Sequence, residues 1–197
     1  QKIAITSHKP QTTRHAILGI LSLEQGQIVF VDTPGMHCRG DKGLNRVLNQ
    51  TAEAMLHDVD VILFVVQAGV WNSEDRAVHA RIRRAGKPVI LVVNKIDRLE
   101  RKELLLSYLA SFNADEFIEM IPVSALKNDN IKLLEQRVLA QLPPGENFYP
   151  EEQVTDRSER FMAAELLREQ LTRRYANEIP YALTVEIEHF ACVGERY

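Results

Sequence analysis

Three stretches, Val59 to Val66, Pro88 to Val93 and Phe117 to Val123, are almost unbroken in apolar residues, and polar-apolar segments of helical spacing separate them. Continuous apolar runs of this length suit strands buried on both faces, as in a parallel sheet. The segments between and after them predict helices over Ser73 to Ala85, Arg101 to Phe112 and Ile131 to Leu142, with Asn72 and Asn130 available as N-caps. Strands alternating with helices give an α/β fold with a doubly wound, mostly parallel sheet. Upstream, Arg14 to Glu24 and Gln27 to Val31 flank Gly26 and read as a β-hairpin. The spacing of Leu44, Val47, Leu48 and Met55 then predicts a helix ending near Asp58. In such a sheet, ligands are expected just beyond the C-terminal ends of the strands.

Pro143-Pro144-Gly145 stops the last of these helices, and the polar stretch that follows reads as a linker. Asp156-Arg157-Ser158-Glu159 resembles a capping box in which the Asp caps and the Glu reaches back. Phe161, Ala164, Leu167, Leu171 and Tyr175 continue as a helical stripe, Pro180 breaks it, and Tyr181 to Phe190 alternates as a strand would. The expected organisation is a first domain over 1–142, a linker over 143–156 and the beginning of a second domain over 157–197. One helix and one strand cannot bury a core, so that second domain is expected to be incomplete.

Composition narrows the class. The 197 residues are 45% hydrophobic and 26% charged, which fits a globular protein and excludes disorder, collagen and coiled coil as descriptions of the whole chain. A net charge of −3 gives no general pull toward nucleic acid or an anionic membrane. Cys38 and Cys192 stand far apart without a Cys or His at metal-ligand spacing, which suits a reducing cytosol. The run from Val59 to Val66 is far short of the roughly 20 residues that span a bilayer. The sequence starts Gln1-Lys2-Ile3, with neither initiator Met nor signal peptide, and reads as a chain entered in mid-domain.

The chemistry lies at the strand ends. Asp32-Thr33-Pro34-Gly35 follows the second strand: the carboxylate can hold the water shell of Mg²⁺, and the Gly lets a backbone N–H approach a terminal phosphate. A plain Pro-Gly turn explains the same residues. Asn94-Lys95-Ile96-Asp97 follows a later strand. The Asp97 carboxylate can accept from both the N1–H and the exocyclic amine of guanine, a pair adenine does not offer. The Lys95 stem can lie on the purine face, and Asn94 can tie the loop to its neighbours. Ser124-Ala125-Leu126 closes the last strand, where the Ala125 N–H can meet the guanine O6. Near the start, a Thr in Gln11-Thr12-Thr13-Arg14 can complete Mg²⁺ coordination and sense a γ-phosphate; Thr13 is the better placed and Thr12 the reserve. Each of these tetrads alone also reads as an ordinary polar turn or strand entry.

Together and in this order, QTTRH, DTPG, NKID and SAL resemble the translation-factor-related GTPases, and more closely the Era family. Thr155-Asp156-Arg157-Ser158 before a helix and Pro180-Tyr181 leading into TVEIEHF look like that family's junction between a GTPase and a KH domain. The resemblance implies a P-loop NTPase fold of the Ras-like G-domain type followed by the start of an α+β KH-type domain. It further implies binding of GTP and GDP with Mg²⁺, and GTP hydrolysis. A cytoplasmic role in small-subunit ribosome assembly through ribosomal RNA follows, with a monomer and peripheral membrane association as the accompanying expectations.

Two departures go with it. No G-x-x-x-x-G-K-[ST] stands in the sequence, so the chain is expected to lack the phosphate loop and to be inactive by itself. No Gly-x-x-Gly follows Arg157, so most of the KH domain is expected to be missing as well. Where Ras-like enzymes place a Gln after the DxxG glycine to orient the attacking water, this sequence has Met36, which leaves the catalytic group unassigned and predicts slow intrinsic turnover. The competing readings are a nucleotide-free scaffold with a GTPase-like shell and another ribosome-associated GTPase. The six histidines read as solvated or hydrogen-bonded, Trp71 as a packing anchor, and Arg81, Arg83, Arg84 and Lys87 as a solvated helix end.

Overall fold

The computed structural model describes residues 3, 17–32, 54–101, 103–175 and 183–191. Ile17–Leu23 (β1) and Gly26–Asp32 (β2) form an antiparallel hairpin turning at Glu24 and Gln25. A helical stretch over 54–58 (α1) leads to Ile62–Gln67 (β3). Ser73–Ala85 (α2), Val89–Asn94 (β4), Glu103–Ala110 (α3), Glu119–Pro122 (β5), Ile131–Leu139 (α4) and Glu159–Arg174 (α5) follow. The order β3-β4-β5 is parallel throughout, in the register Ile62 to Val89 and Ile90 to Glu119. The predicted α/β alternation is therefore present.

The described residues fall into two units: those between 36 and 146, and those of 1–35 together with 147–197. In the first, β4 is central and Val89 to Val93 are all buried. Val89, Leu91 and Val93 pack with Ile62, Phe64, Val66, Ile82 and Phe117, each such side chain contributing about 1.5–3 kcal/mol on burial. α2 starts on a full capping box: the Asn72 side chain accepts from the Glu74 and Asp75 N–H groups, and Asp75 accepts from the Asn72 N–H. Trp71 packs as an anchor, edge-on to Phe64, His79 and Phe112. Of the basic run, Arg83 pairs with Glu116 at 2.7 Å.

In the second unit the hairpin, assigned by sequence to 1–142, groups with the chain beyond 147 because that chain hydrogen-bonds its edge. Ile20 N–H donates to the Val154 carbonyl at 2.9 Å, Leu18 N–H donates to the Asp156 carboxylate at 3.2 Å, and the Gln27 side chain bonds both the N–H and the C=O of Tyr149. A sheet edge left unpaired would expose a row of unsatisfied donors and acceptors.

Four expectations change. Ser158, not Asp156, caps α5, its hydroxyl accepting from the Phe161 N–H, while the Asp156 carboxylate is taken up by the hairpin. The α5 stripe is not its buried face: Leu167 and Tyr175 are exposed, whereas Arg168 and Glu169 are buried. Residues 183–191 form no strand. Alternation favours a strand, but a strand exists only within a ladder, and the ladders among the described residues join β1 to β2 and β3 to β4 to β5. Asn130 stands at the start of α4 without capping it, since its side chain donates to the Pro122 carbonyl at 2.8 Å. The predicted helix from Leu44 as far as residue 53, residues 14–16 before β1 and residues 176–182 lie outside the described residues, as do Cys38, Cys192, His8, His15 and His37.

Candidate functional site

The C-terminal ends of β3, β4 and β5 bring three short segments together. β4 ends at Asn94, whose side-chain oxygen accepts from the Lys95 N–H at 2.7 Å and from the Ala125 N–H at 3.1 Å, joining the loop after β4 to the loop after β5. Lys95 takes the left-handed conformation, φ 65° and ψ 35°, which is uncommon for a long side chain and marks a constrained turn. It opens the 3₁₀ turn Ile96–Arg98, and the Ile96 N–H reaches the Val123 carbonyl at 3.3 Å.

Asp97 sits on that turn, partly exposed. Its carboxylate accepts from the Ser124 hydroxyl at 2.6 Å, which holds its pKa below the usual carboxylate value, with Lys127 and Arg98 adding to the effect against a smaller cost of burial. Ser124 is wholly buried and fixed from three sides. Its N–H and C=O bond Asp129 at 3.1 and 3.0 Å, and its hydroxyl oxygen accepts from the Lys127 N–H at 3.2 Å. An ionised carboxylate with one oxygen oriented by a buried hydroxyl is a preorganised acceptor for neighbouring N–H donors.

Asn94, Lys95, Asp97, Ser124 and Ala125 thus come together. The Ala125 N–H donates to the Asn94 side chain. Leu126 is 84% exposed and its side chain takes no part in the cluster. Asp32 is the exposed last residue of β2 and belongs to the other unit. Thr12, Thr13, Thr33, Pro34, Gly35 and Met36 lie outside the described residues. Gln67, which accepts from the Lys95 ammonium at 3.1 Å, was missed. Its signal was positional: it ends a strand beside the strand that ends in Asn94.

Among the described residues no three His, Cys, Asp or Glu side chains gather to hold a metal ion. A divalent cation would take most of its ligands from phosphate oxygens and water, as Mg²⁺ commonly does, and of the residues considered for it only Asp32 is described.

Residues 1–95 match the family model described as 50S ribosome-binding GTPase. The chain is 51% identical over 195 residues to GTPase Era of Marinobacter nauticus, an alignment covering 98% of this chain and 64% of that protein. Among solved structures it is similar to Era in complex with MgGDPNP and nucleotides of 16S ribosomal RNA, at 34% identity and a TM-score of 0.86. It is likewise similar to an Aquifex aeolicus Era variant bound to GDP·AlF4⁻, at 34% identity and a TM-score of 0.85. Each of these two alignments covers 91% of this chain and 62% of the solved one. The chain therefore spans under two thirds of the length of these relatives. The likeness nevertheless runs over nearly all of this chain. The expectation of a truncated member is corrected to this extent: the likeness to Era covers 91–99% of this chain and is not confined to a part of it, while no G-x-x-x-x-G-K-[ST] stands in the sequence. The protein has a Ras-like G-domain fold of mixed α/β topology followed by a KH-like region, matching the solved Era structures.

Proposed function

We propose that this chain is part of an Era-like GTP-binding switch that hydrolyses GTP and acts in small-subunit ribosome assembly by binding ribosomal RNA. The observation that carries the reading is the junction of Asn94, Asp97, Ser124 and Ala125 at the ends of β4 and β5. Asp97, ionised and oriented, accepts from the N1–H and exocyclic amine of guanine, and adenine, lacking that amine, is rejected. The Lys95 stem covers the purine face. Asn94 holds the Ala125 N–H where the guanine O6 is expected, and one N–H can serve both acceptors as a bifurcated donor.

Thr13, with Thr12 in reserve, and the Asp32-Thr33-Pro34-Gly35 segment take the phosphate and Mg²⁺ end. Mg²⁺, when bound, neutralises charge on the β- and γ-phosphates. A segment ordered by the γ-phosphate and released on hydrolysis makes the two nucleotide states different surfaces, provided GTP binds the ordered and the released arrangement with different affinity. Met36 cannot orient the attacking water, so the group that does so comes from elsewhere. The RNA partner is the one carried by the solved Era complex. A cytoplasmic place and a peripheral membrane contact come with the same resemblance, and a monomer is expected independently of it; among the described residues no helix is long and apolar enough to cross a membrane.

Competition of GDP and ADP for the intact protein tests the reading. It predicts a preference for GDP on the order of 10³ or more, since a site built to bond a donor rejects the analogue that lacks it. Equal affinities would contradict it.

A further inference from the structure

The element behind Lys95 is as ordered as the loop in front of it. Gln67 ends β3 directly beside Asn94 in the parallel register, and the Ala68 N–H donates to the Asn94 carbonyl at 2.8 Å. The Gln67 carbonyl accepts from the Val70 N–H at 3.0 Å, which closes a turn through Gly69 at φ 74°. From α3 the Tyr108 hydroxyl reaches the same turn, 2.6 Å from the Val70 carbonyl and 3.4 Å from that of Gln67. Partial burial, with Asp75 nearby, raises the Tyr108 pKa to about 12, so it remains a donor throughout the working range. The backbone of Gln67 is thereby fixed, and its side-chain oxygen receives the Lys95 ammonium at 3.1 Å.

A lysine stem has four rotatable bonds and, unheld, loses considerable rotamer freedom when it settles on a ring. Holding its ammonium beforehand lowers that cost of binding. We infer that Gln67 is a positioning residue for the purine site: its side-chain carbonyl, anchored through the Tyr108-pinned turn after β3, fixes the Lys95 side chain in place for the base. The inference rests on the functional reading above and adds to it a residue outside the loops that touch the base.

The test is a double-mutant cycle on GDP affinity in the intact protein. Gln67→Leu, which keeps the approximate volume and removes the acceptor, is expected to weaken GDP by about fivefold to tenfold, the net scale of one ordinary hydrogen bond. Gln67→Glu, which restores an acceptor for the ammonium, is expected to stay within about twofold of the wild type. In a Lys95→Ala background, Gln67→Leu is expected to cost nothing further, because the group it positions is gone. A role in folding alone predicts the opposite: an equal loss in both backgrounds and no rescue by Glu. Either result, or an unchanged affinity in Gln67→Leu, would overturn the inference. The wild-type preference for GDP over ADP reports separately on the functional reading, so failure of one is told from failure of the other.

Discussion

In the unit of residues 36–146, the central strand contributes five successive buried apolar residues, Val89 to Val93; in the other unit, the residues α5 buries most deeply are Arg168 and Glu169. Apolar burial asks only for residue type and approximate size, so the parallel sheet can be assembled from local runs and its strand ends set to angstrom precision. Buried charge asks for particular partners. Arg168 meets Glu165 in two bonds of 2.6 and 2.8 Å, and Arg173 pairs with Glu169. The same contrast holds for backbone: β4 is flanked by strands on both sides, whereas the β1 edge is completed by residues more than a hundred positions away. The proposed base site is carried by the apolar unit, where its polar contacts span 27 to 31 residues.

The contrast is breakable at its strongest point. Leu91→Ala in β4 removes a wholly buried side chain from a sheet packed on both faces and is expected to cost about 2–5 kcal/mol in urea unfolding. A loss under about 1 kcal/mol would show that this core tolerates a cavity and that the units do not differ as described. Glu165→Ala takes the bidentate partner from the buried Arg168 guanidinium; about 2–3 kcal/mol is expected, below the roughly 3–5 kcal/mol of breaking a fully buried pair because the Glu165 side chain keeps some exposure. Replacing both residues by apolar ones should recover much of that loss, which the same denaturant titration would read. Asn72→Ala removes the side-chain acceptor of the α2 capping box, leaves the Asp75 bond to the backbone N–H of residue 72, and is expected to cost about 1 kcal/mol.

The smallest effect concerns pH. His79 lies between the Phe64 and Phe117 rings and edge-on to Trp71, with Glu116 at 3.6 Å and Arg83 beyond it. Burial holds its pKa below 6.5, and Arg83 lowers it further against the pull of Glu116. The unfolded chain therefore takes up a proton on His79 before the folded one does. The contribution of His79 to stability is full above about pH 6.5 and is lost as the pH falls from there through the folded pKa. His79→Phe keeps the ring stack and removes the proton, so its stability should fall less steeply between pH 7 and 5; parallel slopes would show that His79 does not titrate there.

Much of the first unit was legible. β4 and β5, α2 and the tetrads Asn94 to Asp97 and Ser124 onward could be read from the sequence because continuous apolar runs, an Asn before a helix and polar residues at strand ends are local signals. Gln67 was not legible, because a polar residue ending a strand looks like any other until the register sets it beside Asn94. Asp156 was misread as a cap because its partner, the Leu18 N–H, lies 138 residues away. The buried charges of α5 and the irregular course of 183–191 were hidden for the same reason, being set by tertiary partners rather than by neighbours in the chain.

The proposed reading of the base by the Asp97 carboxylate can be tested by one exchange of atoms. Asp97→Asn replaces one acceptor with a donor, which suits a purine with a carbonyl at carbon two rather than an amine. Competition binding of GDP and xanthosine diphosphate to the wild-type and Asp97→Asn proteins should show GDP weakened by on the order of a hundredfold and the xanthine nucleotide strengthened. An Asp97→Asn protein that binds GDP as the wild type does, or that gains nothing toward xanthine, would contradict the account.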